Sequence, residues 1–321
     1  MCNLYDDSKP SENRKFEVGG AKSPRMSPQN RHNAYSRFVI PEEILKENGY
    51  LFFETETSEK AQFKKKNQWS IFAFMPDNDN RRKCTRCSTL FNRKSTFSSS
   101  CQFHPLKPEY ISGFQRHLCC FETVGTSKGC TSHSFHVHQQ PSESVLRQFV
   151  QSPKPVSVRD YRSNKIFALD VEMVHTENGL EAGRVSLVDL QGKVIIDEFI
   201  QPEGQIVHLN TQFSGIEEFH LKDAKSLKQI HQLLFQFINR STLLIGHGLS
   251  NDLKVLKIIH MNVIDTALVQ NLLDGSSQMP SLKKLAKMWL DLDIQTIKKG
   301  HDSVEDARTC LKIVEQFDKM Y

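Results

Sequence analysis

The chain has 321 residues, of which 38% are hydrophobic and 25% charged, enough for one large core and one smaller module. Its net charge of +5 divides into 24 − 16 = +8 for residues 1–160 and 18 − 21 = −3 for residues 161–321. No stretch approaches the ~20 apolar residues of a membrane span, and the N-terminal MCNLYDDSKPSENRK lacks the apolar segment of a secretion signal. We therefore expect an intracellular protein with no membrane partner, and the nucleus is favoured over the cytoplasm.

The N-terminal region is polar and then basic. Residues 1–34 are predicted to be disordered. Residues 35–83 begin with the helix-like RFVIPEEILKENGY, and their aromatic residues Trp69, Phe72 and Phe74 are expected to pack on the module that follows. Between residues 60 and 116, twelve basic residues face three acidic ones. Two runs are candidates for binding a nucleic-acid backbone, with a solvated face or an import signal as the alternatives: Lys64, Lys65 and Lys66, and Arg81, Arg82 and Lys83.

Six of the eight cysteines lie between residues 84 and 130. With nearby histidines they form the steps Cys84-x2-Cys87, Cys101-x2-His104, Cys119-Cys120, and Cys130 followed by His133 and His136. This spacing is typical of zinc ligands, and six thiolates with two imidazoles suffice for two tetrahedral sites. Closed sites of four protein ligands fold a small segment and do not catalyse, so residues 84–137 are predicted to be a zinc-stabilised module.

Residues 138–163, rich in Gln, Ser and Pro, are interpreted as a linker with one short helix. In residues 164–321 we predict a mixed α/β sheet flanked by helices. The predicted strands cover 165–174, 184–190, 194–200, 242–246 and 263–265. The predicted helices cover 223–239, 251–260, 281–290 and 303–319.

Acidic residues stand in this half at positions suited to a metal. Asp170 and Glu172 are two apart in the apolar run 166–174, so a strand would direct both carboxylates to one face of the sheet. Asp252 follows a short apolar strand ended by Gly246-His247-Gly248, and Asp306 lies in the first turn of the last helix. Two acids in an apolar strand would be costly if unpaired, which favours metal binding. Asp265 is interpreted as structural or peripheral.

The last helix is predicted to begin with a capping box formed by Asp302 and Glu305, which leaves His301 on the preceding loop. Two Mg²⁺ or Mn²⁺ ions held by hard carboxylates can neutralise a phosphodiester under in-line attack. The attacking water must also lose a proton, and a histidine with a pKa of about 6.5 can accept it near neutral pH.

These segments, in this order, resemble the DEDDh exonucleases, and most closely the eukaryotic RNA exonucleases of the Rex group. The resemblance covers roughly residues 160–321 and is carried by LDVEMVHT, GRVSLVDL, FIQPEG, FSGI, IGHGLSNDL, VIDTALV, SLKKLA and GHDSVEDA. It implies a ribonuclease H-like fold, with Asp170, Glu172, Asp252 and Asp306 as metal ligands and His301 as general base. Met173 and the loop 210–213 are candidates for contacting the terminal nucleotide.

The cysteine-rich segment resembles the CHORD zinc module through CQFHP, HLCC and GCTSHSFH. This resemblance selects His136 as the last ligand, whereas simple CxxH spacing selects His133. It also implies a possible protein partner of the zinc module.

We expect a 3′→5′ exoribonuclease that acts on RNA 3′ ends. The expectation that the substrate is RNA rather than DNA rests on the resemblance alone. The alternatives are an enzyme of the same fold that acts on DNA or very short oligonucleotides, and a zinc-module adaptor with incidental nuclease activity.

Overall fold

A computed structural model describes residues 28–64, 73–97, 99–276, 278–296 and 300–321. Lys65, Lys66, Trp69 and Phe72, and most of the segment predicted to be disordered, lie outside these residues. Among the helices in the described ranges, none is both long and apolar enough to cross a bilayer.

The N-terminal region packs on the C-terminal half of the chain, residues 164–321. It contains helices α1 (Pro28–Tyr35) and α2 (Glu42–Glu47) and a short 3₁₀ helix at Ser36–Phe38. Buried Phe38, Leu45 and Tyr50 belong to the main core of the C-terminal half. Phe74 joins a second cluster with Leu146 and Ile259. The prediction that this region packs on the zinc module is therefore wrong for these side chains, because their apolar surface is buried against the larger core.

The cysteine-rich module is built from short antiparallel pairs of strands. Strands β1 (Arg81–Lys83) and β2 (Leu90–Asn92) form one pair. Strand β3 (Cys101–Phe103), β4 (Pro108–Ile111), β5 (Phe114–His117) and β6 (Thr131–His133) follow, with β3 pairing β6 and β4 pairing β5. A small apolar cluster lies between the first two pairs and contains Phe91, Phe103, Cys84 and Cys101.

Residues 138–163 pack on the C-terminal half and do not form a free linker. A 3₁₀ helix spans Glu143–Arg147, in agreement with the predicted short helix, and strand β7 (Val150–Gln151) pairs in parallel with Ile258–Ile259. Ser152 is fully buried and its hydroxyl lies 2.9 Å from Nδ1 of His260. The polar composition predicted a solvated linker, but polar side chains such as that of Ser152 form hydrogen bonds with residues distant in sequence.

The C-terminal half is organised around a six-stranded mixed sheet. Its first strands are β8 (Ile166–Thr176), β9 (Gly179–Asp189), β10 (Val194–Phe199) and β11 (Ile206–His208), and they are followed by the short helix α3 (Thr211–Ser214) and a 3₁₀ helix at Glu218–Leu221. Helix α4 (Leu227–Phe237), strand β12 (Leu243–Gly246), helix α5 (Leu249–Val255) and strands β13 (Ile258–Ile259) and β14 (Val263–Asp265) come next. The strand order is β10-β9-β8-β12-β14, with β11 paired to the end of β8. β8 is antiparallel to β9 and parallel to β12, so it lies at the centre of the sheet.

Helices α6 (Thr266–Asp274), α7 (Leu282–Leu290) and α8 (Ser303–Met320) complete the chain. Helix α8 packs on β8, β9 and β12 through the apolar positions expected from its sequence, and Ala307 and Val314 are fully buried there. Helix α6 was not predicted, because its buried residues directly continue the apolar strand before it. The result is the ribonuclease H-like arrangement of a mixed sheet and helices.

Candidate active site

Strand β8 carries Asp170 and Glu172 into the interior. Burial, reinforced by the negative charges of Asp252, Glu172 and Asp306, raises the pKa of Asp170 well above its ordinary value. Burial and the nearby Asp306 raise the pKa of Glu172 to about 8, although Arg184 opposes the shift. Both carboxyls are therefore hard to ionise without a cation beside them.

Asp252 reaches the same cluster from the first turn of α5, where it is 5% exposed. Its Oδ1 accepts a hydrogen bond of 2.9 Å from the backbone amide of Val171, the residue between the two strand acids. Burial raises the pKa of Asp252 to about 8. The amide of β8 thus holds this carboxylate beside the strand that carries Asp170 and Glu172.

Helix α8 contributes Asp306. Glu172, His301 and Asp306 offer ligand atoms that all lie within 4.8 Å of one another. Burial raises the pKa of Asp306 to about 6, and its Oδ2 accepts a 2.9 Å hydrogen bond from Nε2 of Gln295. Its Oδ1 is buried without a hydrogen-bond partner among the described residues. A buried carboxylate oxygen left without a donor fits a metal ligand, because an unsatisfied polar atom is otherwise costly.

His301 lies just before α8. Its Nδ1 is 3.9 Å from Oδ2 of Asp306. Burial lowers the pKa of His301 below its ordinary value, so the imidazole is neutral at pH 7 and the contact is not an ion pair. A neutral imidazole can accept a proton.

Helix α8 begins as predicted with Asp302 as N-cap, whose Oδ1 accepts from the amide of Val304 at 3.1 Å. The predicted capping box is not completed by Glu305, whose Oε2 instead accepts from the amide of Gln295 at 3.2 Å. Asp302 therefore caps the helix directly after His301, and Glu305 holds the backbone at Gln295.

Asp265 has a structural role in this geometry. Its Oδ1 accepts from the amides of Gly248 and Ala267, and its Oδ2 accepts from the amide of Leu249 and the hydroxyl of Tyr50. Both oxygens are occupied by donors 2.7–3.1 Å away. This agrees with the prediction that Asp265 is not a principal metal ligand.

Two residues near the acids were missed by sequence reasoning. Arg184 lies opposite Glu172 in the β8–β9 ladder, and its guanidinium pairs with Asp197 at 2.7 Å and with Asp302 at 3.2 Å. Its position inside GRVSLVDL was a usable signal, since cross-strand partners of Glu172 are predictable once the hairpin is recognised. Gln295, which binds Asp306, lies on a loop that carries no sequence signal.

The residues predicted to contact nucleic acid are not gathered at one surface. Met173 is half-buried and lines a groove of about 250 Å³ together with Asn251 and Lys254. Arg82 is 1% exposed and donates to the carbonyl oxygens of Asp79 and Arg81 and to Ser142. The prediction that Arg82 binds a phosphate backbone is therefore wrong, because its guanidinium is used inside the protein.

The other basic candidates are partly neutralised. The exposed Arg81 forms a bidentate pair with Asp79, and Lys64 lies 3.4 Å from Glu47 and 3.6 Å from Glu43. Exposed ion pairs of this kind are weak, so both side chains can still turn toward a phosphate. Their contact with nucleic acid, like that of the half-buried Lys83, stays a prediction.

The cysteines and histidines form two sets of four ligands. The first, called set A, consists of Cys84, Cys87, Cys101 and His136, and the second, called set B, consists of His104, Cys119, Cys120 and Cys130. In set A the sulfurs of Cys84 and Cys101 are 3.7 Å apart. In set B the sulfurs of Cys130 and Cys119 are 3.5 Å apart. Tetrahedral zinc with Zn–S bonds of about 2.3 Å requires sulfurs about 3.8 Å apart, so both sets fit the ion.

We expect about one zinc ion per set, because each set supplies four closed ligands. His136→Ala should reduce the zinc content of purified protein from about two ions to about one. His133→Ala should leave it unchanged, since the His133 ring packs on Phe103 and Phe135 outside both sets. Elemental analysis by mass spectrometry measures this, and equal zinc loss in the two variants would contradict the assignment.

Comparisons of the sequence relate the chain to known exonucleases. The profile of the RNase T family, described as Exonuclease, matches residues 167–314. The chain is 32% identical to RNA exonuclease 3 of Eremothecium gossypii over 92% of this chain and 74% of that protein. It is 33% identical to exonuclease GOR of Pan troglodytes over 96% of this chain, although it spans only 46% of that relative. Among solved structures, the Neurospora crassa Pan2 catalytic unit has 31% identity and a TM-score of 0.45, covering 52% of this chain and 28% of that one.

Proposed function

Because the chain belongs to the exonuclease family that includes RNA exonuclease 3, we propose that it is a 3′→5′ exoribonuclease that releases nucleoside 5′-monophosphates. The observation that carries the proposal is the buried acidic cluster with a neutral histidine at its edge. Glu172, Asp306 and His301 have ligand atoms within 4.8 Å of one another. Asp252 is held by a hydrogen bond against the strand that bears Asp170. This set suits phosphodiester hydrolysis better than any binding role, because a mere scaffold would gain nothing from buried acids.

Asp170, Glu172, Asp252 and Asp306 would hold two Mg²⁺ or Mn²⁺ ions. Such ions, when bound, neutralise the phosphate and lower the pKa of water. The chain itself contributes the orientation of the ligands: the Val171 amide fixes Asp252, and Gln295 fixes Asp306. Arg184 offsets part of the negative charge at Glu172 and Asp170.

We assign His301 as the base that accepts the proton of the attacking water. The water oxygen forms a bond to phosphorus while the bond from phosphorus to the 3′-oxygen of the preceding nucleotide breaks. The leaving 3′-oxygen takes up a proton from solvent, so the shortened RNA ends in a 3′-hydroxyl, and the released nucleotide carries the 5′-phosphate. Met173, next to Glu172, and residues 210–213, which form the N-cap and the first residues of α3 next to His301, are the residues we assign to the terminal nucleotide.

The chain divides in this proposal into a zinc module, residues 84–137, and an exonuclease domain, residues 164–321. Residues 35–80 and 138–163 are assigned to the stability of the exonuclease domain, since Leu45, Phe74 and Ser152 are buried against it, whereas β1 (Arg81–Lys83) pairs with β2 of the zinc module. Structural zinc is assigned to both ligand sets.

Purified protein incubated with Mg²⁺ or Mn²⁺ tests the proposed function directly. We expect a ladder of shortened products from 5′-labelled RNA with a free 3′-hydroxyl, and little cleavage when that end is blocked. Labelled DNA and two-nucleotide RNA of matched sequence are the comparisons for substrate class. Faster cleavage of DNA or of two-nucleotide RNA would identify that class, and not long RNA, as the substrate. If none of the three is cleaved, the proposed activity is rejected.

The zinc module also offers a surface for a protein partner. Its β4–β5 hairpin and the turn after it expose large aromatic side chains, with Tyr110 at 77%, Phe114 at 58% and Phe121 at 60%. Clustered exposed aromatics are typical of interaction sites. Changing Tyr110 and Phe114 together to serine should leave the KM for long RNA unchanged. A raised KM would mean that the hairpin binds RNA, which would contradict the protein-partner proposal.

A further inference from the structure

The His301 loop is held by helix α3. The amide of His301 donates to the carbonyl oxygen of Phe213 at 2.7 Å, and the Phe213 ring lies edge-on to the imidazole with centroids 6.2 Å apart. Gly300 approaches so closely that a Cβ there would lie 2.3 Å from the amide nitrogen of Gly215 and 2.6 Å from the carbonyl oxygen of Thr211. The position of α3 therefore sets the position of His301.

The start of α3 is in turn fixed by His208 at the end of β11. Asn210, the residue before α3, has a left-handed backbone with φ of 59°, and its amide donates to Nδ1 of His208 at 3.0 Å. The imidazole thus closes the turn from which α3 begins. Because a backbone amide can only donate, Nδ1 of His208 must be the unprotonated nitrogen.

The same nitrogen is contacted from the zinc module. Nη2 of Arg86 lies 3.1 Å from Nδ1 of His208, and a guanidinium, like a backbone amide, can only donate a hydrogen bond. Arg86 lies between Cys84 and Cys87 in the sequence, so it is carried by the loop that supplies two ligands of set A. Its guanidinium carbon lies 5.0 Å from the centroid of Phe103 and 5.6 Å from that of Phe135. These contacts make Arg86 a rigid link rather than a mobile surface charge.

Set A also suits the charge of Arg86. Nη1 of Arg86 is buried with no hydrogen-bond partner among the described residues. A buried guanidinium without a counter-charge is costly. Three thiolates around one zinc ion carry a net negative charge, and the guanidinium is close enough to Cys84 and Cys101 to interact with both sulfurs electrostatically. A folded, zinc-bound set A therefore stabilises Arg86 where it meets His208.

We propose that Arg86 and His208 are positioning residues through which set A holds α3, and with it His301, in place for hydrolysis. The inference rests on the proposed exonuclease function. It makes the zinc module necessary for turnover of RNA too short to reach its surface. Set B has no such assigned connection.

Steady-state kinetics on a trinucleotide RNA test this proposal. Arg86→Ala should lower kcat by about 10²-fold with little change in KM, the scale expected when a catalytic group is misplaced by about 1 Å. The exposed Lys94→Ala, which removes the same charge from the same module, is the matched control and should keep wild-type kcat. Zinc content should stay at the wild-type value in both variants.

Substitutions at His208 test the same link from the exonuclease side. His208→Leu removes the acceptor and should match the kcat loss of Arg86→Ala, whereas His208→Asn keeps an oxygen near the position of Nδ1 and should restore most of kcat. The Arg86→Ala and His208→Leu double variant should lose little more than either single variant, because both break one connection. Equal losses in His208→Asn and His208→Leu would overturn the role of Nδ1.

Amide hydrogen exchange gives a measurement that does not depend on catalysis. Exchange at residues 209–215 and at the His301 amide should accelerate in Arg86→Ala and in His136→Ala, which disrupts set A, but not in Lys94→Ala. Wild-type kcat and wild-type exchange in Arg86→Ala would overturn the proposal. If the wild-type protein cleaves no RNA, the proposed function fails, and the exchange measurement still decides whether set A holds the His301 loop.

Discussion

Asp170→Asn is expected to lower hydrolysis of 5′-labelled RNA by at least about 10³-fold. Burial and the charges of Asp252, Glu172 and Asp306 raise the pKa of Asp170 well above its ordinary value. Asparagine has a similar shape but cannot offer a negative oxygen to a divalent cation. The cation charge that neutralises the phosphate would then be lost while the fold is kept.

The exposed Asp223→Asn is the matched control and should keep wild-type activity. Thermal unfolding separates a lost metal ligand from a damaged fold. Mg²⁺ should raise the Tm of the wild-type protein by binding the native state, and it should have a much smaller effect on Asp170→Asn. Activity of Asp170→Asn within tenfold of wild type would contradict the assignment of this residue as a metal ligand.

The metal-free protein should also lose stability as pH rises. The pKa values of Asp306, Glu172 and Asp252 are raised in the folded state to about 6, about 8 and about 8. In the unfolded chain carboxyls ionise near pH 4. Between those values the native state binds more protons than the unfolded state, so the free energy of unfolding falls from about pH 4 to pH 8. Asp170→Asn should weaken this dependence, because it removes one of the repelling charges.

His301→Ala should lower kcat by about 10²–10⁴-fold with little change in the Mg²⁺ concentration needed for activity. The imidazole is neutral because burial lowers its pKa, and it lies 3.9 Å from Asp306 at the edge of the acidic cluster. A base acts in its deprotonated form, so the wild-type rate should rise with pH through a value below about 6.5 and level off near neutrality.

The pH profile is the critical measurement for His301. The rise below pH 6.5 should be absent in His301→Ala. His220→Ala, which removes an imidazole that stacks on Phe199 with centroids 4.3 Å apart, is the control and should keep the wild-type profile. A profile of His301→Ala that is lower but unchanged in shape would assign the proton transfer to another group.

Local sequence was sufficient to predict the central strand and its two acids. Alternation along β8 decides that Asp170 and Glu172 share a face, and helical spacing decides that Ala307 and Val314 of α8 turn toward the sheet. Cysteine spacing was likewise sufficient to predict zinc ligands in residues 84–136, but not to sort them into sets, since Cys101 belongs to set A and His104, three residues later, to set B. The directions of side chains along a strand or helix depend only on residues that are close in the sequence, so they can be predicted from it.

What the sequence could not provide was the partner of each polar or apolar segment. Residues 35–83 and 138–163 carry no signal that names the exonuclease core as their neighbour, and only the fold shows Leu45 and Ser152 buried there. Arg82 has the same local appearance as a phosphate-binding arginine, yet its guanidinium is enclosed by Asp79 and Ser142. Burial depends on contacts between distant parts of the chain, so composition alone misassigned these segments.

The choice between His133 and His136 and the contact between Arg86 and His208 also needed the tertiary structure. His136 joins Cys87 because β3 and β6 pair in one register, with Cys101 opposite His133. Arg86 and His208 are 122 residues apart in the sequence and meet only because the zinc module folds against the end of β11. The sequence by itself determined the reactive groups and their order, whereas the packing of distant elements decided which of them meet, since hydrogen bonds and metal coordination act only over a few ångströms.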